Sequence, residues 1–228
     1  MRIHITRHGQ PLQKANAGNN HAYPPGDPPL TAQGREQASL LGRHLAAHHF
    51  RGPIFSSPYR RTLETAEMVA RETGVHIFPT RELQEWVPRE GTPNFDGLTL
   101  AGIRPLFSRI APEATLEHPW FFSGPEAKPE VQLRVRPFLE KLCATAATAE
   151  VLLVGHGAST SACINELLSA NKPNDISEDP LKNWNCSLST IESDVFGYGK
   201  ITACFDIGHF AEEIVTSNAL RYLDAEEA

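Results

Sequence analysis

Short apolar runs in this chain stop abruptly at clusters of polar residues and glycine, and a helix-like stretch follows each of them directly or after a loop. Val151 to Val154 is the most continuous run and is cut off by Gly155-His156-Gly157. Unbroken apolar character over so short a span fits a strand buried on both faces, as the central strands of parallel sheets are. Ile3 to Thr6 stops in the same way at Arg7-His8-Gly9, and Ile54-Phe55 stops at Ser56-Ser57-Pro58-Tyr59-Arg60-Arg61. Strands alternating with helices predict an α/β fold of three layers, a mostly parallel central sheet with helices on both faces.

The intervening segments fit that frame. Thr31 caps a helix expected to run to about His49, with Ala38, Leu41 and Leu45 on one face. Ser57-Pro58 reads as the start of a second helix reaching about Glu72, with a capping hydroxyl and a proline at the first position. Val75 to Phe78 is a further strand candidate. A helix over about Glu130 to Ala147 carries the stripe Val131, Val135, Phe138 and Leu142. Another covers about Ala158 to Ser169. Ser187 to Ile191 and Lys200 to Phe205 read as paired strands joined by a turn at Gly197-Tyr198-Gly199. Residues 88–129 contain seven prolines and the aromatic cluster Trp120-Phe121-Phe122. That content predicts a lid-like insertion within a single domain of 228 residues rather than a flexible linker.

Charge and cysteine usage narrow the function classes. With 21 Lys and Arg against 27 Asp and Glu, the net charge is −6, which disfavours a nucleic-acid or membrane-surface binder. No apolar run approaches the roughly 18 residues of a membrane helix, and no signal-peptide pattern opens the sequence. Cys143, Cys163, Cys186 and Cys204 form no Cys-x-x-Cys pair, so reduced thiols in a cytoplasmic protein are expected. His44, His48 and His49 share a helix but lack the glutamate of a metalloprotease helix, and a solvated face is the reading adopted. Ser159 and Ser161 lie outside any Gly-x-Ser-x-Gly pattern and read as helix-start hydroxyls.

Open parallel sheets bind ligands at the carboxyl ends of their strands, so the three polar clusters should converge there. What converges is a set of guanidinium groups, two imidazoles, and the backbone of the turns and helix starts at Gly9, Gln10, Gly157 and Ala158. Forked arginine donors and helix N-termini suit an oxyanion, phosphate above all. A neutral imidazole can attack phosphorus and split a hydrolysis into formation and breakdown of a phosphohistidine. A carboxylic acid must then protonate the leaving oxygen. Glu85 is placed in the sequence to do so, with Glu82 and Glu90 as rival carboxylates nearby.

These motifs resemble, in order, those of the histidine phosphatase superfamily, which includes the cofactor-dependent phosphoglycerate mutases. Thr6-Arg7-His8-Gly9 is similar to its opening signature. Asp27-Pro28-Pro29-Leu30-Thr31 with Gly34 and Gln37-Ala38 resembles its first-helix pattern. Ser56-Ser57-Pro58-Tyr59-Arg60-Arg61 with Thr65-Ala66-Glu67 resembles its second. Leu83-Gln84-Glu85-Trp86 is similar to its acidic segment, and Val154-Gly155-His156-Gly157 to its second histidine motif. The resemblance implies that His8 is the phosphorylated nucleophile, that Arg7, Arg61 and His156 bind the phosphoryl group, and that Glu85 is the proton donor. Arg61 fills the family position because it is the sixth residue counted from Ser56. No metal or organic cofactor is implied for phosphatase members.

Two departures bear on the reaction. Pro11 and Lys14 stand where many mutase-like members carry Ser or Thr and then Asn, and the paired-arginine and Tyr-rich motifs of glycolytic mutases are missing. Pro11 also replaces the second arginine of the acid phosphatase and phytase opening. The expectation is a phosphatase acting on a small phosphorylated molecule or a phosphoprotein. A mutase-like phosphotransferase and a catalytically weak phosphate-binding regulatory protein are the alternatives.

Overall fold

In the computed structural model, residues 1–12, 23, 26–87, 97–121, 126–145, 149–170 and 183–216 are described. The chain order is β1 (Arg2–Arg7), α1 (Ala32–Ala47), β2 (Ile54–Ser56), α2 (Arg60–Thr73), β3 (Ile77–Pro79), α3 (Leu100–Ile103), α4 (Lys128–Thr145), β4 (Glu150–Gly155), α5 (Gly157–Leu167), β5 (Leu188–Glu192) and β6 (Lys200–Asp206). One six-stranded sheet forms in the order β3-β2-β4-β1-β5-β6. β3, β2, β4 and β1 pair in parallel with one another, β5 pairs antiparallel with β1, and β6 pairs antiparallel with β5.

Period-two alternation divides the core between two faces. Leu152 and Val154 of β4 join Ala38, Leu41 and Leu45 of α1 and Leu63, Ala66 and Val69 of α2. Val151 and Leu153 point the other way, with Ile3 and Ile5 of β1, onto Val131, Val135 and Leu139 of α4 and Ile164 and Leu167 of α5. The apolar run of β4 is therefore continuous because helices cover both of its faces. The three-layer, mostly parallel architecture expected from the sequence is the one observed.

Some local expectations shift. Thr31 caps α1 as read, its hydroxyl accepting from Gly34 N at 2.9 Å. α2 starts later than Ser57-Pro58, at Arg60, and its N-cap Tyr59 makes no side-chain cap bond. The Ser57 hydroxyl is engaged instead by an imidazole of the site. β3 begins two residues after Val75, because Gly74 ends α2 in the left-handed region (φ 79°) and the next residues serve as the connection. Within residues 97–121, Ile103, Phe107, Ile110 and Ala111 pack on the α1–α2 side of the core. Trp120, fully buried, packs edge-on against Tyr59 with centroids 5.2 Å apart. The remainder of the expected lid, residues 88–96 and 122–125, lies outside the described residues. No described helix is long and apolar enough to cross a membrane.

Register positions the site before any side chain is considered. Arg7 pairs with Gly155 and Ser56 with Val154, so His8, Ser57 and His156 all leave the same carboxyl edge. The loop after β1 also touches the start of α1. A Cβ added to Gly34 would lie 2.2 Å from Gln10 O and 2.8 Å from Gln10 N. In a free helix, alanine is favoured over glycine by about 1 kcal/mol, yet here the methyl group would overlap the backbone. Gly34→Ala is expected to lower the melting temperature, measured by thermal unfolding.

Candidate active site

The centre lies among the ends of β1, β2 and β4 and the turn after β3. His8 is 2% exposed and His156 is fully buried, with their rings 5.2 Å apart. His8 N donates to Gly155 O at 3.0 Å and Ser57 N to Val154 O at 2.9 Å, each continuing the sheet ladder one step past its end. Gly9 O lies 2.7 Å from His8 Nδ1. A carbonyl can only accept, so Nδ1 carries the proton and Nε2 presents its lone pair. Arg61 Nε donates to that Nε2 at 3.3 Å. Burial, then Arg61 and Arg7, hold the His8 pKa well below its usual value, so the ring is neutral at neutral pH.

Arg61 links the groups. From the first turn of α2, its Nη2 reaches Glu85 Oε2 at 3.1 Å and its Nη1 reaches Gly26 O at 3.3 Å. Asp27 Oδ1 is 4.0 Å from Nη1 and accepts from Arg60 N at 2.7 Å. The guanidinium stacks 4.5 Å over the Tyr59 ring, a cation–π contact that holds its plane. Arg7 is buried and donates to Asn183 O at 2.9 Å, and its Nε has no hydrogen-bond partner among the described residues. A buried donor without a partner costs free energy unless something supplies an acceptor, and an oxyanion would do so.

Glu85 is brought in by its neighbours. Its segment follows a 3-10 turn over Arg81–Leu83. Ser159 Oγ donates to Leu83 O at 3.0 Å, and Arg134 of α4 donates to the carbonyls of Glu82 and Gln84. Glu85 Oε2 then lies 3.2 Å from His156 Nδ1. Burial pushes the Glu85 carboxyl up, but His156 and Arg61 outweigh it and hold the pKa well below the usual carboxylate range. Burial lowers His156 to about 4, with Glu85 opposing. At neutral pH the direction is an ionised carboxylate beside a neutral imidazole.

The structure thus brings together all five side chains singled out in the sequence, His8, Arg7, Arg61, Glu85 and His156. The backbone positions differ in availability. Gly9 N donates to Thr65 Oγ1 at 3.0 Å and Gln10 N to Gln37 Oε1 at 2.9 Å, so both amides are already engaged. Gly157 and Ala158 open α5 directly after His156. Sequence reading missed Ser57 as the partner of His156 Nε2, at 2.9 Å. It also missed Asn183 and Asn185. The available signal was topological: an antiparallel β5 must start at the edge where β1 ends, so the residues before it land on the site. Of the three histidines expected on the first helix, only His44 lies in α1, which ends at Ala47; His48 and His49 follow its end and are exposed, while the His44 ring lies tilted against those of His48 and His209.

One donor atom each from His8, Glu85 and His156 lies within 4.8 Å of the others, a spacing that a metal ion could exploit. The Arg7 and Arg61 guanidinium groups lie close to these atoms, however, and Arg61 already donates to the His8 nitrogen that would have to ligate. The local field favours an anion over a cation.

A parallel α/β sheet carrying paired imidazoles and arginines at its carboxyl edge defines a class of oxyanion-handling proteins. A family model described as the histidine phosphatase superfamily, branch 1, matches residues 3–199, and the chain belongs to that superfamily. No curated protein matches the sequence. Among solved structures, the chain is similar to the ecdysone phosphate phosphatase from Bombix mori in complex with tungstate (17% identity, TM-score 0.71, 93% of this chain and 98% of that one). It is also similar to the protein histidine phosphatase SixA complexed with tungstate (16%, TM-score 0.54, 89% and 95%). A third likeness is to a mycobacterial glucosyl-3-phosphoglycerate phosphatase complexed with VO3 (22%, TM-score 0.55, 89% and 97%). At these identities the likeness is one of fold.

The buried titratable groups predict how stability follows pH. Burial lowers His4, His156 and His209 each to about 4, so between pH 6.5 and 4 the unfolded chain binds protons that the folded chain refuses. Stability therefore falls as the solution is acidified through that window. Burial raises Asp27 to about 6, so between pH 6 and 4 the folded state holds a proton that the unfolded state lacks, and this opposes the fall. Thermal unfolding is expected to show a lower melting temperature at pH 4.5 than at pH 6.5, with a steeper decline in Asp27→Asn.

Proposed function

We propose that the protein is a phosphatase that hydrolyses a phosphate monoester through a phosphohistidine at His8. The observation that carries this reading is the tautomer of His8: an unprotonated Nε2, neutral by burial, faces the Arg61 guanidinium in a pocket that also holds Arg7. Nε2 attacks phosphorus, the bond from phosphorus to the leaving oxygen breaks, and the Glu85 carboxyl donates its proton to that oxygen, releasing an alcohol. Water then attacks phosphorus, Glu85 takes the proton back, the N–P bond breaks and inorganic phosphate leaves.

Arg7, Arg61 and His156 bind the equatorial oxygens in this reading, where charge concentrates during transfer. Gly157 and Ala158 are proposed to add amides from the start of α5. Glu85 rests ionised against Arg61, so it must acquire its proton with the substrate. An arriving phosphate group engages Arg61, weakens its hold on Glu85 and raises the carboxyl's proton affinity. The related folds named above were determined with tungstate or vanadate bound, which supports an oxyanion site here too. Their named substrates include a phosphorylated steroid, a phosphoprotein and a phosphorylated sugar acid derivative. The class proposed for this chain is accordingly a phosphorylated small molecule or phosphoprotein.

Brief incubation with 32P-labelled monoester and acid-free quenching is expected to give base-stable, acid-labile labelled protein. His8→Asn should abolish the label, and label undiminished in that variant would overturn the mechanism. Glu85→Gln is expected to lower kcat by about 10²–10⁴-fold, the usual range for general acid catalysis. The loss should be larger for an alkyl phosphate than for p-nitrophenyl phosphate, whose leaving group needs little protonation.

A further inference from the structure

The loop that carries the nucleophile is held by a hydrogen-bond relay that passes through the C-terminal part of the described chain. Gln10 N donates to Gln37 Oε1 at 2.9 Å, and Gln37 Nε2 donates to Thr216 Oγ1 at 2.8 Å. Thr216 Oγ1 donates to Asn185 Oδ1 at 3.0 Å, and Asn185 Nδ2 donates to His8 O at 2.8 Å. Gln37 and Asn185 are buried, at 0% and 1% exposure. Each direction is forced by the ends. A backbone N–H can only donate, so the Gln37 oxygen faces Gln10 and its NH2 faces Thr216. A backbone carbonyl can only accept, so the Asn185 NH2 faces His8 and its oxygen faces Thr216. A hydroxyl, which accepts and donates at once, is the group that joins two amides oriented in this way.

The two ends of the relay are the two peptide planes on either side of the Gly9 Cα. His8 O belongs to the plane whose N–H donates to Thr65 Oγ1 at 3.0 Å. Gln10 N belongs to the plane whose carbonyl, Gly9 O, lies 2.7 Å from His8 Nδ1. That second plane therefore decides which nitrogen of His8 carries the proton. Asn185 N also donates to Thr216 O at 2.9 Å and Gln37 Nε2 to Ile214 O, so the Thr216 segment is docked by its backbone as well as its hydroxyl. Thr216 lies beyond residues 3–199, which the family model matches.

We propose that Thr216 is a positioning residue for His8: its hydroxyl closes a directional relay that holds the peptide planes around Gly9 and so keeps the His8 lone pair on Nε2. Without the hydroxyl, Asn185 Oδ1 loses its donor and Gln37 Nε2 loses one of its two acceptors, so the two amides that grip His8 O and Gln10 N are held less firmly, and the Gly9 carbonyl is held less firmly against Nδ1. The proposal rests on the reading of His8 as nucleophile, and the ring spectrum described next does not depend on that reading.

The test compares full-length wild type, Thr216→Val, Thr216→Ala and Thr216→Ser with p-nitrophenyl phosphate, tungstate inhibition, thermal unfolding and 15N NMR of the histidine rings. Thr216→Val and Thr216→Ala should lower kcat by about 10–100-fold at temperatures where the variants stay folded, as small misplacements of reacting groups do, with tungstate affinity little changed, while the buried Asn185 Oδ1 left without its donor lowers the melting temperature modestly. Their His8 signals should move from a fixed Nδ1–H form toward a tautomer average. Thr216→Ser should retain most of kcat and the wild-type ring spectrum. Wild-type kcat and ring shifts in Thr216→Val would overturn the proposal. So would equal losses in Thr216→Ser, or losses confined to temperatures at which the variants unfold. Turnover and labelling retained in His8→Asn would instead overturn the nucleophile reading, while the ring shifts would still decide the relay.

Discussion

Parallel pairing of β1 with β4 is the constraint on which the site depends. Their register sets Arg7 opposite Gly155, so the next residues, His8 and His156, emerge side by side from a buried edge. Sheet hydrogen bonds continue one step beyond the strands, through His8 N to Gly155 O and Ser57 N to Val154 O. A slip of one residue in that register would turn each side chain to the opposite face, exchange the partitioned cores on the two sides of the sheet and separate the imidazoles. The apolar alternation that buries Leu152 and Val154 on one face and Val151 and Leu153 on the other therefore also aligns the chemistry.

Given that alignment, electrostatics follows from burial. Two imidazoles withdrawn from water stay neutral, and two arginines in the same place cannot shed their charge. Arg61 accordingly gathers several acceptors among the described residues: Glu85, Gly26 O, the lone pair of His8 and the face of Tyr59, with Asp27 Oδ1 at 4.0 Å. The protein's net charge of −6 does not describe this region. An acidic chain can concentrate positive charge locally, and a phosphate ester responds to the field inside the cleft more than to the total.

Much of the fold was legible because apolar periodicity reports burial directly. β1, β2 and β4 could be placed within a residue or so, as could the Thr31 cap of α1. The Ser57 assignment failed for an instructive reason. A serine followed by proline satisfies the local rule for a helix start, but the Ser57 hydroxyl bonds the buried His156 imidazole at 2.9 Å and α2 starts only at Arg60. Tertiary hydrogen bonding overrode local preference at a residue of the site.

The sequence by itself determined the residue types at each strand end, two histidines, two arginines and a carboxylate, in an order that resembles the motifs of the histidine phosphatase superfamily. Tertiary structure decided which nitrogen of His8 is available, which carboxylate reaches Arg61 and His156, and what holds them there. Those outcomes depend on contacts between residues far apart in the chain, such as Asn185 with His8 and Ser57 with His156. The polarity of such hydrogen bonds depends on where donors and acceptors meet in space, which the spacing of residues along the chain does not encode.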